Sequence, residues 1–276
     1  QVQIAQRYGL ATLYFNRATT PWKNETNWLG RDECEWYGIT CNENGEVVGI
    51  NMINNNMTGT LSLEIAMLTN LIELNLSINH LEGSLPWSID TIASLSILAL
   101  SYNSFSGDLS AIDFSKMDRL TLFDVDRNSF TGEFPASMYQ IKSLKVLSMD
   151  KNNLTGSLTT AIGNLVELER FSLADNDLEG VLPSQLGLLD KLQILGLSQN
   201  GFVGTIPTQI GAMRVLFSLD LGSNMLVGPI PSELGNLGEL TGLYLDNNQL
   251  RGTIPSQLGN LGELTSLRLS DNQLTG

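Results

Sequence analysis

A chain of 276 residues has room for one or two globular domains or for one long repeat array. Apolar residues make up 42% and aromatics only 7%, so Leu carries most of the burial. The formal charge is −14, from 15 basic and 29 acidic side chains, which excludes binding to nucleic acid or anionic lipid through bulk charge. No run approaches the ~18 apolar residues of a membrane span, and no basic-plus-apolar leader opens the chain. The chain starts at Gln1 with a mature-looking sequence, which is compatible with a signal peptide or anchor that was removed or that lies outside this sequence.

Residues 1–46 form a predicted N-terminal cap. Val2, Ile4, Ala5, Tyr8, Leu10, Ala11, Leu13, Tyr14 and Phe15 recur at helical spacing. They predict a helix near residues 2–17, ended by Thr19, Thr20 and Pro21. Trp22, Trp28 and Trp36 follow, three of the four tryptophans. Cys34 and Cys41 sit close together in this Trp-rich stretch, a pairing that suggests a disulfide and an oxidising compartment. Asn44-Gly45 reads as a tight turn into Glu46-Val47-Val48. Such a plug covers the apolar edge that the first coil of a repeat array would otherwise expose.

From residue 47 to residue 276 one unit recurs, L-x-L-x-x-N-x-L-x-G. Its Asn falls at Asn55, Asn79, Asn103, Asn128, Asn152, Asn176, Asn200, Asn224, Asn248 and Asn272, which makes ten units. Eight of the nine intervals are 24 residues; the interval from Asn103 to Asn128 is 25 and places one inserted residue around Asp108–Asp118. Alternation such as Leu243-Tyr244-Leu245 predicts a short strand with Leu inward, and strands recurring in one sense predict a parallel sheet. An inward Asn can donate to and accept from backbone groups of adjacent coils, so the Asn column is read as structural. The Gly four residues on suits a positive φ or a close approach. The Ile-Pro or Leu-Pro step reads as extended backbone, and the Leu-Gly-x-Leu after it as a 3₁₀ or α turn.

These residues resemble the plant-type extracellular leucine-rich repeat family. Residues 240–264 match its unit almost letter for letter. Trp28 with Cys34-x-Trp36-x-Gly38-x-x-Cys41 matches the cap that precedes such arrays in plant receptor-like kinases, receptor-like proteins and polygalacturonase inhibitors. TPWKNETNW before the cysteines and NENGEVVGI after them resemble repeat proteins of diatoms even more. The resemblance implies an α/β fold: a right-handed leucine-rich-repeat solenoid with its parallel sheet on the concave face, short 3₁₀ or α turns on the convex face and a helical, disulfide-bonded cap. It also implies an extracellular or cell-surface location. Leu61-Ser62, Leu109-Ser110 and Leu158-Thr159 depart from the family's Ile-Pro. The sequence stops mid-unit at Gly276, so the native protein is expected to continue.

Catalysis is not expected. The single histidine, His80, follows a ladder Asn at a predicted exposed turn, and no acidic residue is placed to orient it. No phosphate-binding or dinucleotide motif occurs, and no cofactor or metal is expected. Binding is the better prospect. Taking the outward strand positions as six, four, two and one residues before each Asn, units 3–6 present apolar residues beside both charges. These are Ile97, Tyr102, Leu122, Asp124, Asp126, Arg127, Val146, Asp150, Lys151 and Arg170, a candidate ligand face; the late units read as small and polar. A variant reading makes Asp124, Asp126 and Asp150 a Ca²⁺ site. Sequons at Asn24, Asn56, Asn75 and Asn153 are glycosylation candidates, with Asn56 and Asn153 expected to be exposed.

The functional expectation is a recognition module for a protein, peptide or glycan. The alternatives are an inhibitor of a secreted hydrolase, by resemblance to the polygalacturonase inhibitors, and a structural or adhesive surface protein. Association through a solenoid edge or flank is a further expectation.

Overall fold

The computed structural model describes residues 2–16 and 21–275. They fall into two compact units, 1–144 and 145–276.

The first unit opens with an α-helix, Val2–Phe15. Arg17, Thr19 and Thr20, where the sequence extends and then ends this helix, lie outside the described residues. Leu10 and Leu13 are buried on its inner side, and Gly9 brings its backbone close to Glu64. Trp22, Trp28 and Trp36 are all buried. Their rings meet at centroid separations of 4.8 and 4.9 Å, and Tyr14 stacks on Trp28 at 5.9 Å. Aromatic burial on this scale gives the plug its stability. Cys34 and Cys41 are disulfide-bonded across it. Ile39–Cys41 then pairs antiparallel with Val47–Asn51, and Gly45 supplies the positive φ of the connecting turn.

Val47–Asn51 also starts a parallel sheet that continues through Glu73–Asn75, Ile97–Ala99 and Leu122–Asp124. A second parallel layer runs through Thr58–Thr60, His80–Ser84, Ser104–Asp108 and Ser129–Glu133. Each coil closes with a 3₁₀ helix, Leu63–Met67, Trp87–Thr91 and Ala136–Gln140. The inserted residue leaves the strand register intact and is absorbed on the return path. There, two short 3₁₀ helices, Leu109–Ala111 and Phe114–Lys116, replace the single one. Without a Pro at this point, Asp108 caps the first helix by accepting from the N–H of Ser110.

The second unit repeats the plan in steps of 24: Val146–Ser148, Arg170–Ser172, Ile194–Gly196, Ser218–Asp220, Gly242–Tyr244 and Ser266–Arg268 form one parallel run. Pro183, Pro207, Pro231 and Pro255 stand in extended backbone at the start of its 3₁₀ helices. Thr159, where Pro is absent, instead accepts from the N–H of Ala161. Leu195, Leu219 and Leu243 are fully buried register partners, each burial contributing about 2 kcal/mol.

The Asn column holds successive coils together. Asn176 Nδ2 donates to the carbonyls of Met149, Leu173 and Ala174 at 3.0, 3.1 and 3.3 Å, and its Oδ1 accepts from the N–H of Leu154 at 3.0 Å. One side chain thus satisfies four backbone groups of two coils. The Gly four residues after each ladder Asn has positive φ from Gly59 to Gly252. The residue before each Asn also has positive φ, from Asn54 through Ile78 and Tyr102 to Asp271, which the sequence reading did not anticipate.

Candidate ligand face

In the first unit Ile97 and Leu122 are register partners at the start of their strands, each half-buried. Asp124 ends its strand, and its carboxylate accepts from the N–H of Asp126 at 3.1 Å. Tyr102 and Arg127 lie beyond the strands. Their φ values are 56° and 53°, and the Arg127 guanidinium sits over the Tyr102 ring at 4.9 Å. They line a hollow of about 380 Å³ with Lys23, Asn54, Ile78 and His80. This corrects the register assumed from sequence, which placed Tyr102, Arg127 and Lys151 among outward strand positions. The inward Asn pulls the chain off the strand, so the residue before it turns through left-handed backbone beyond the strand end.

In the second unit Val146 and Arg170 are register partners, and Arg170 is exposed. Asp150 accepts from the Ser172 hydroxyl at 2.6 Å and from the N–H of Ala174 at 2.7 Å. Lys151, φ 54°, pairs with Asp175 at 3.4 Å on the exposed turn edge. The Ca²⁺ reading is corrected on two counts. Among the described residues no three His, Cys, Asp or Glu side chains gather to share a cation, and Asp150 already accepts two hydrogen bonds from its own unit.

The same unit holds a feature that the sequence reading passed over as small and polar. A notch of about 260 Å³ opens on the strand face, lined by Ser198, Asp220, Gly222, Tyr244, Asp246 and Arg268. Asp220 accepts from the Ser198 hydroxyl at 2.9 Å and from the N–H of Gly222 at 3.1 Å. Burial nevertheless pushes its carboxyl pKa up, and the nearby Asp246 carboxylate adds to the rise. A methyl group on Gly222 would lie 3.2 Å from Asp246 Oδ1 and 3.4 Å from Asp220 Oδ1. The bare glycine is what lets both carboxylates face one space.

The four sequons differ. Asn153 is exposed at the start of the strand Asn153–Thr155. Asn56, expected to be exposed, is half-buried, and its Nδ2 donates to the Pro21 carbonyl at 3.0 Å, because the cap folds back over the first coil. Asn24 Oδ1 accepts from the N–H and the hydroxyl of Thr26. Asn75 accepts from the N–H of Ser77.

Residues 70–92, 143–165, 216–237 and 239–261 match the Leucine Rich Repeat family. Receptor-like protein 5 of Arabidopsis thaliana is 46% identical over 46 residues, 17% of each chain. Serine/threonine-protein kinase BRI1-like 1 of the same plant is 38% identical over 60 residues, 21% of this chain and 5% of that one. Among solved structures, the ectodomain of the receptor kinase GASSHO1/SCHENGEN3 from Arabidopsis thaliana, in complex with CASPARIAN STRIP INTEGRITY FACTOR 2, superposes with a TM-score of 0.93 at 31% identity. The match covers 98% of this chain and 33% of that one. The chain carries leucine-rich repeats similar to those of plant receptor-like proteins and receptor-kinase ectodomains. As a leucine-rich repeat protein it spans only 5% to 17% of the length of those two curated relatives. A plant ice-binding protein of the same architecture matches over 99% of this chain and 88% of its own length, at 25% identity and a TM-score of 0.86.

Proposed function

We propose that this leucine-rich repeat chain is a non-catalytic extracellular recognition module that binds a peptide or protein segment along the strand face of its parallel sheet. The observation that carries the reading is the 0.93 TM-score to an ectodomain solved with its bound factor. A plant peptide hormone receptor, RGFR1, adds support; it was solved with RGF2 and covers 80% of this chain at a TM-score of 0.69. The strand face offers what an extended ligand needs: backbone-aligned rows of side chains one coil apart. On the strand face of the first unit Ile97 and Leu122 give apolar contacts and Asp124 and Asp126 give charge; on that of the second unit Arg170 gives charge. The Asp220–Asp246 notch accepts a cationic side chain. The test is panning of a displayed library of extended peptides on the intact chain and on an Asp124→Ala, Asp126→Ala, Arg170→Ala variant. Enrichment of a common motif on the first and not on the second is the expected result. Equal enrichment on both removes this face from the reading.

A second reading rests on a different surface. A groove of about 1040 Å³ on the Pro-bearing flank of the second unit is lined by Ser, Thr, Val, Leu, Ile, Pro, Gly and Gln, with no ionic side chain, although the chain carries a charge of −14. Thr160, Ser184 and Thr208 repeat along it once per coil. The similarity in length and fold to an ice-binding protein favours ice as the ligand of this uncharged array. Ice-recrystallisation assays decide it: halted grain growth supports this reading, and growth at the buffer rate dismisses it.

A further inference from the structure

The hollow that Tyr102 and Arg127 line in the first unit differs in charge from the chain as a whole. The sequence has 29 acidic and 15 basic side chains. Yet the described residues around this space include Lys23, His80 and Arg127 and no Asp or Glu. Lys151 stands, like Arg127, directly before a ladder Asn, and it pairs with Asp175 one coil on. Arg127 has an aromatic neighbour instead, the Tyr102 ring one coil back. Contact with a ring uses the face of a guanidinium, whereas its N–H donors lie in its plane. Among the described residues those donors have no acceptor, and the His80 imidazole has no hydrogen-bond or ion-pair partner. Lys23 Nζ donates only to a neutral group, Asn54 Oδ1.

Backbone bonds hold these residues in place. The N–H of Lys23 donates to the Asn55 carbonyl at 3.0 Å. The N–H of Asn24 donates to Asn55 Oδ1 at 2.8 Å, and Asn55 Nδ2 donates to the Asn24 carbonyl at 2.9 Å. The cap segment is thereby fixed on the first coil. The N–H groups of Asn54, Ile78 and Tyr102 donate to the following coil at 2.9, 2.8 and 2.8 Å, which stacks these left-handed residues one coil apart. One coil step is about 4.8 Å. Lys23 stands at the Asn54 row and the Arg127 guanidinium at the Tyr102 ring. The two permanent cations are therefore roughly 10 Å apart, with the Ile78 row between them. An ion at that middle row lies about 5 Å from each. His80, from the same coil as Ile78, lines the same space.

We propose that this hollow is an anion site that takes a tetrahedral oxyanion, a phosphate or sulfate group. Two permanent cations with no carboxylate between them balance a dianion better than a single carboxylate. Donors that approach from three rows suit oxygens set around a centre rather than in one plane. The space of about 380 Å³ is roughly ten times a water molecule's share of the liquid, so a bare ion leaves room beside it. Ile78 and Tyr102, 47% and 51% exposed, offer that room apolar walls, which suit the organic part of an ester. The chain's charge of −14 repels polyanions, so one small group fits here and a nucleic acid or an anionic bilayer does not. The site lies beyond the strand ends, and the strand-face reading of function neither needs it nor supplies it.

His80 is the only histidine of the chain, so its imidazole protons are a built-in NMR reporter on the site. Inorganic phosphate, phenyl phosphate and acetate are titrated into the intact chain at fixed pH, with chloride keeping the ionic strength constant. The expected result is a saturable shift of the imidazole signals with inorganic phosphate, with Kd on the order of 1 mM. Acetate should bind about tenfold more weakly. Tighter binding of phenyl phosphate assigns the site to esters and equal affinity assigns it to the free ion; both outcomes support an oxyanion site. Arg127→Gln should weaken phosphate binding about tenfold. Lys142→Gln, at an exposed lysine of the same unit, should leave it unchanged. Thermal melts check that both variants fold, and the titration of the native chain decides the matter if Arg127→Gln does not. Absence of a saturable shift with either phosphate overturns the proposal. So does a shift that acetate matches, or a folded Arg127→Gln chain that binds phosphate as the native chain does.

Discussion

Arg268 lies across the ring of Tyr244, its guanidinium carbon 5.2 Å from the ring centroid, and the two residues are register partners on adjacent strands. The ring can take this position because Gly242 is bare: a methyl group there would come within 2.8 Å of Tyr244 Cε2. The stacked pair forms one wall of the notch that holds Asp220 and Asp246. Its cation faces the two carboxylates without an ion pair closing the space, so the notch keeps a negative interior. Each repeat contributes one or two of these residues, and only the parallel register assembles them.

Asp220 gives the notch a pH signature. Burial raises its pKa above the ordinary 3.8. A carboxyl with a raised folded-state value holds its proton more tightly in the folded chain. That stabilisation is complete below the unfolded value and is lost as the pH climbs through the folded one. Asp220→Asn should therefore raise the unfolding midpoint at neutral pH, and its advantage should vanish below about pH 4. Thermal melts of both chains across pH read this directly. An equal difference at all pH values would locate the effect outside Asp220 ionisation.

The inserted residue in the coil after Asn103 has its own anchor. Asp90, almost fully buried, accepts from Lys116 Nζ at 3.1 Å and from the N–H of Asp113 at 3.2 Å, while its other oxygen has no hydrogen-bond partner among the described residues. Lys116→Met removes the cation and leaves the buried carboxylate with one donor. Because the lysine is half exposed, solvent screens part of the loss. The expected cost is about 2 kcal/mol. The Asp90→Asn, Lys116→Met pair should recover part of it. Urea denaturation of the three variants gives the coupling.

The Asn ladder predicts a larger and uneven effect. Asn176→Ala leaves the Leu154 N–H and three carbonyls without the side chain that serves them. Unmade buried hydrogen bonds of this kind cost about 3 kcal/mol together. Asn153→Ala, on an exposed strand residue that follows the ladder Asn152 directly, should cost less than about 0.5 kcal/mol. A comparable loss at both positions would mean that the column is not a structural ladder.

Much of this was legible in the residues because it is repeated. The 24-residue spacing located the Asn column, and a Gly recurring at one offset announced its positive φ. The residue before each Asn was not legible. Asn54, Ile78, Tyr102, Arg127 and Lys151 all adopt the same left-handed backbone, although a β-branched residue such as Ile78 resists it locally. The conformation comes from the neighbouring coil: the N–H of Ile78 donates to Ser101 and that of Tyr102 to Asp126, both at 2.8 Å. Side-chain identity there carries no signal, so Tyr102 and Arg127 were read as strand positions although they lie beyond the strand ends. The notch escaped for a related reason. Asp220, Tyr244, Asp246 and Arg268 each look ordinary within a unit, and the space they share comes from glycines at positions 222 and 242, which read as filler.

The central claim is that the strand face of the sheet holds an extended ligand. Hydrogen–deuterium exchange of the intact chain, with and without a peptide enriched by panning, tests it most directly. The account predicts slowed exchange in the strand-face segments of a unit, around Leu122–Asp126 in the first or around Arg170–Ala174 and Asp220–Gly222 in the second, with the 3₁₀ helices unchanged. Protection confined to the 3₁₀ helices or to the Pro-bearing flank would contradict it.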